Sequence, residues 1–107
     1  MSLVRKNVIE DFADSVREIL DDNVSEIILF GSYASNDFVP GSDVDIAIIV
    51  EKEGKSDEEK IWDLAEKYRA KHGVEFMPKI FEKKFFNQKI DQNFKFYSEI
   101  AEEGLEI

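Results

Sequence analysis

The chain has 107 residues, no cysteine and a formal net charge of −10, with 43% hydrophobic and 36% charged residues. That fits one globular domain, residues 1–107, with a core of its own; it excludes a disulfide scaffold and cysteine-held zinc, and suits a reducing cytoplasm. The acidity argues against DNA binding, which needs a basic footprint, and suits a basic partner or a site that gathers cations; no apolar run is long enough to cross a bilayer, so no membrane role is expected.

Val4, Val8, Phe12, Val16, Ile19 and Leu20 recur at helical spacing and predict a helix over Val4 to Asp21. Ser25 to Phe30 is short, apolar and rich in β-branched residues, which favours a strand. Gly31 breaks it. Ser32 to Asn36 can form one helical turn, and Asp37 to Ser42 is a loop punctuated by Pro40-Gly41. Asp43 to Val50 is a second strand whose tail, Ile46 to Val50, is apolar at every position, the mark of a strand covered on both faces. Ser56 and Glu59 have the spacing of a capping box, so a helix is expected from there to His72, with Ile61, Leu64, Ala65 and Tyr68 inward, Trp62 flanking and Gly73 as C-cap. Val74 to Phe81 is a third strand, and Pro78, which has no N–H for a ladder, places it at a sheet edge or makes it locally irregular. Glu82 to Gln88 fits a helical turn. Ile90 to Glu103 fits a last helix with Phe94, Tyr97, Ile100 and Ala101 inward, ended by Gly104, and residues 105–107 form a tail or a short extra strand. The fold expected is a small mixed α/β sheet of three to four strands flanked by helices.

Asp43 and Asp45 stand one residue apart at the start of the second strand, so their side chains share a face. Two carboxylates held that way repel and raise each other's pKa. A divalent cation removes the penalty, and magnesium in particular takes one or two carboxylates and completes its shell with water and phosphate. A strand followed by Gly31-Ser32 and a possible helical turn is a phosphate-binding geometry, because glycine admits the anion to the backbone and a helix start presents free N–H groups. No lysine or arginine occurs between Glu18 and Glu51. A phosphate held here would depend on metal ions, backbone amides and the hydroxyls of Ser32 or Ser42.

Gly31-Ser32, Ala34 and Ser42-Asp43-Val44-Asp45 before an apolar strand resemble the nucleotidyltransferase domain of the DNA polymerase beta superfamily, more narrowly the minimal nucleotidyltransferases. The resemblance spans nearly the whole chain. It implies that Gly31 and Ser32 hold the triphosphate of ATP or another nucleoside triphosphate. Asp43 and Asp45 would bind metal, two Mg²⁺ ions being usual, while a hydroxyl takes the nucleoside monophosphate. A third carboxylate is implied on the neighbouring strand. Met77 occupies its usual place, and Glu75, two residues earlier on the same face, is the candidate substitute. The motif turn also carries Tyr33, Ser35 and Asn36 where the family often has a cation and a glycine. The resemblance further implies an antitoxin role beside a helical HEPN-type protein, with AMP passed to that partner. The alternative reading is a catalytically weakened nucleotide- or metal-binding module that neutralises a basic helical partner by contact. His72, at a helix end, Trp62 and Lys79 read as structural or surface residues, whereas Phe81, Phe85, Phe86, Phe94 and Phe96 make the last third unusually aromatic.

Overall fold

The computed structural model describes residues 3–31 and 43–107. The elements run α1 (Leu3–Leu20), a 3₁₀ turn (Asp21–Asn23), β1 (Val24–Phe30), β2 (Val44–Val50), α2 (Lys55–His72), β3 (Phe76–Glu82), α3 (Lys83–Asp91), α4 (Lys95–Glu103) and β4 (Leu105–Glu106). The strands form one sheet in the order β3-β2-β1-β4. β1 pairs antiparallel with β2 and with β4, while β2 and β3 are parallel. A parallel pair needs a crossover, and α2 supplies it.

The alternation of β2 divides the core. Val44, Ile46, Ile48 and Val50 pack with Phe12 and Val16 of α1 and Ile61 and Ala65 of α2. Ala47 and Ile49 point the other way, onto Phe86 of α3 and Ile100 of α4. Helices thus cover both faces of β2, and every one of its residues except Asp45 is buried. The edge position expected of the Pro78-bearing strand is the one observed for β3.

Two helix boundaries differ from the sequence expectation. The helix expected over Ile90 to Glu103 is two helices, α3 and α4. Asn93 separates them in the left-handed region, at φ 63°, a conformation asparagine tolerates better than most residues. Phe94 consequently precedes α4 and is 48% exposed, Ala101 is exposed as well, and Ile100 is the residue that enters the core. At the other boundary, α2 begins at Lys55 with Gly54 in the cap position and no side-chain cap, so Ser56 lies inside the helix. Its C-terminus is as expected: Gly73 adopts φ 67° and donates its N–H to the Arg69 carbonyl.

One polar tie joins α1 to α2. The Tyr68 hydroxyl donates to the Asp11 carboxylate at 2.6 Å and lies 3.0 Å from the Ser15 hydroxyl. Its ring meets Phe12 and Phe76 edge-on, and those two rings stack 4.0 Å apart. Tyr68→Phe keeps the ring and removes the bonds, which should lower stability by about 1 kcal/mol. Burial, followed by the bond to Asp11, pushes the Tyr68 phenol above its ordinary value. The folded protein therefore holds this proton more tightly than the unfolded chain. The tie is fully present below about pH 10 and is lost as pH rises through the folded-state value. Urea unfolding between about pH 9 and 11 should show the wild-type advantage over Tyr68→Phe shrink as pH rises; a constant difference would contradict the assignment.

Candidate active site

The end of β1 and the start of β2 lie side by side, with Phe30 paired to Asp45. Gly31 follows at φ 75°. A Cβ there would lie 2.6 Å from Asp45 Oδ2, so glycine serves twice: it takes the left-handed turn and leaves room for the carboxylate. Val44, between the aspartates, is buried in the α1–α2 core, which commits both neighbours to the opposite face. Its N–H donates to the Glu75 carbonyl at 2.8 Å and ties this corner to the chain entering β3. Asp43 is exposed and Asp45 half-buried.

Burial pushes the Asp45 carboxyl above the ordinary aspartate range; the Lys79 ammonium opposes the shift and the charge of Asp43 adds to it. The aspartates therefore interact electrostatically, and Lys79, which the sequence reading treats as a surface residue, reaches their site. Lys79 pairs with Ala47 on the parallel β3, two residues past Asp45.

The place of a third carboxylate is informative. Met77 lies directly alongside Asp45 in the β2–β3 register, and a thioether is a poor ligand for a hard cation. Glu75 precedes β3 and lines a small cleft with Trp62, Glu66 and Arg69, where its charge supports that of Arg69. Among the described residues, no three acidic, histidine or cysteine side chains gather into a metal-binding group. Asp43 and Asp45 stand together as a pair, and Glu75 is not brought into a triad with them. Ser32, Ser42 and the motif turn between them lie outside the described residues.

Beside Gly31, a cavity of about 350 Å³ opens between the end of β1 and α4. Phe30 and Phe96 line it, their rings 6.0 Å apart and nearly perpendicular, with Ile100, Glu99 and Glu103 on the helix side. The sequence pattern marks Ile100 as inward and Phe96 as one of several aromatics, but it singles out neither Glu99 nor Glu103 and gathers none of them into a site. The signal that finds them is helical: 96, 99, 100 and 103 form one stripe, legible once α4 is known to begin at Lys95.

The fold and site together define a small mixed-sheet α/β domain with paired aspartates on the strand that follows a glycine bend. The profile of the nucleotidyltransferase domain family matches residues 9–104, and the chain belongs to that family. Two relatives from Methanocaldococcus jannaschii both bear the name of candidate protein adenylyltransferases. One is 33% identical over 99 residues, covering 92% of this chain and 93% of its own. The other is 35% identical over 86 residues, covering 79% and 87%. A crystal structure of a candidate nucleotidyltransferase from Sulfolobus solfataricus aligns with 95% of this chain and 74% of its own, at a TM-score of 0.49 and 17% identity.

Proposed function

We propose that this nucleotidyltransferase is an adenylyltransferase that moves AMP from ATP to a hydroxyl of a partner protein. The observation that carries the reading is the placement of Asp45, partly withdrawn from water, against Gly31 and in the field of Asp43. The names of the two archaeal relatives support protein as the acceptor class, and a net charge of −10 suits a basic partner. The antitoxin pairing with a HEPN-type helical protein, implied by the motif resemblance, is the form of partnership proposed.

The donor set fits a divalent metal. Two carboxylates share a face, one of them partly dry and destabilised by the other, and a hard cation with oxygen ligands relieves that arrangement. Asp43 and Asp45 would hold it, and when bound it neutralises phosphate charge during displacement. Gly31 keeps the backbone low enough for a triphosphate to approach, and Ser32 and Ser42 are proposed as hydroxyl donors to it. Lys79 supplies a positive charge on the same sheet face. In the transfer, the acceptor oxygen bonds to the α-phosphorus, the bond to pyrophosphate breaks and the hydroxyl proton is released.

The test is incubation with α-labelled ATP, Mg²⁺ and co-purified or candidate proteins. Label is expected on a protein acceptor and absent with Asp43→Asn. No labelled product with any nucleoside triphosphate would overturn the reading. One observation favours a second reading. Met77 stands beside Asp45, and Glu75 shares its cleft with Arg69, as suits a weakened module that works by contact with a basic partner. That reading predicts partner co-purification that survives replacement of both aspartates, together with no labelled product.

A further inference from the structure

We propose that the cavity between β1 and α4 is the nucleobase subsite of the transferase, with Phe96 and Phe30 holding the base and Glu99 and Glu103 selecting one that carries an exocyclic amine. The assignment rests on the adenylyltransferase reading above and specifies how its substrate is chosen.

Four observations converge on it. The cavity, at about 350 Å³, is within the size range of small-molecule sites, and a purine with part of its ribose fills such a space. Gly31 forms part of its wall and is also the residue against which the Asp45 carboxylate lies. A ligand seated in the cavity therefore reaches the paired aspartates across a single glycine, the relation a nucleoside bears to its own phosphates. The wall is aromatic: Phe96 is 44% exposed, although it contacts both Phe30 and Phe81 edge-on. A large phenyl ring left open beside a cavity offers a stacking surface that accepts any base. The last observation is the sign of the charge. Glu99 and Glu103 stand one helical turn apart on the cavity side of α4, both exposed; among the described residues their one ion pair is a long contact from Lys95 to Glu99, at 3.7 Å.

Those carboxylates decide which end of the nucleotide enters. They repel phosphate, so the triphosphate belongs on the Asp43–Asp45 side of Gly31, where the proposed divalent cation would offset the carboxylates. Carboxylates accept hydrogen bonds and cannot donate them, so they favour a base edge that carries an amino group. Adenine meets that demand through its 6-amino group; uracil offers no exocyclic donor. The aromatic wall supplies affinity without choice, and the two glutamates supply the choice.

The experiment compares binding of ATP, purine riboside triphosphate (which differs only in lacking the amine) and UTP in the presence of Mg²⁺. Each is titrated calorimetrically into the wild type, Glu99→Gln, Glu103→Gln and Phe96→Ala. Wild type should bind ATP roughly tenfold more tightly than purine riboside triphosphate. Glu99→Gln and Glu103→Gln should each weaken that preference, and Glu99→Leu, which leaves no acceptor, should weaken it further. Phe96→Ala should weaken all three ligands by a similar factor of roughly ten. Glutamine remains able to accept a hydrogen bond, so Glu99→Leu serves as the stricter variant, with circular dichroism confirming its fold. ATP binding with no preference for the amine, or with affinity untouched by Phe96→Ala, overturns this assignment while leaving the transferase reading intact. Failure of every nucleotide to bind overturns both.

Discussion

Asp45→Asn is expected to abolish AMP transfer and, in the absence of metal, to make the protein harder to unfold at neutral pH. The first effect follows from its place in the proposed site. Asparagine keeps the size of the side chain and removes the charge that a divalent ion needs, so a loss of roughly 10²–10³ in rate or more is expected, the scale of removing one group that stabilises transition-state charge. The second effect follows from burial. Asp45 is half-buried, and burial raises its carboxyl above the ordinary value of 3.8, with Asp43 adding to the shift and Lys79 opposing it. The native protein therefore holds this proton more firmly than the unfolded chain does. Below the unfolded value the side chain is neutral in both states and imposes no penalty. As pH rises from the unfolded value to the folded value the penalty of ionising develops, and above the folded value it is complete. Asparagine removes it, so the melting temperature at neutral pH in EDTA should rise above that of the wild type. The gain should shrink toward zero near pH 4. A variant that is less stable than wild type at both pH values would contradict the electrostatic account of this residue.

Gly31→Ala is expected to damage activity and stability together through the same side chain. Its φ of 75° alone penalises alanine by about 1–2 kcal/mol. The added Cβ would also lie 2.6 Å from Asp45 Oδ2, closer than the two atoms can approach, and the carboxylate rather than the paired strand is the part able to move. A displacement of that kind in a reacting constellation can lower the rate by roughly 10²-fold. The two contributions separate in a double-mutant cycle. In Gly31→Ala/Asp45→Ala the steric overlap is gone and only the backbone penalty remains, so the stability losses should fall short of additive. Strict additivity would mean that Gly31 and Asp45 do not press on one another.

What the sequence made legible follows from which signals are local. The five apolar residues Ile46 to Val50 identified β2 as a strand covered on both faces, because burial of both parities needs no knowledge of the partners. Pro78 marked β3 as an edge because a missing N–H is a property of one residue. Asp43 and Asp45 share a face by strand alternation alone. The signals that failed were those that tertiary contacts decide. The break at Asn93 depends on α3 and α4 each needing to turn one apolar side onto Ile28, Ala47 and Ile49. A continuous helical pattern from Ile90 concealed that break and with it the stripe from Phe96 to Glu103. The approach of Gly31 to Asp45 depends on the pairing of Phe30 with Asp45, and no local pattern encodes that register. The role of Glu75 turns on the surroundings of its side chain, where alternation placed it on the face of the aspartates and the fold adds Arg69 from α2.

The most direct test of the central claim is calorimetric titration of ATP into the wild type and into Asp43→Asn/Asp45→Asn, each with Mg²⁺ and with EDTA. Paired carboxylates that hold a cation beside a glycine bend predict ATP binding that requires Mg²⁺ and disappears when both acids become amides. Binding of equal affinity in EDTA, or in the double amide variant, would contradict that account.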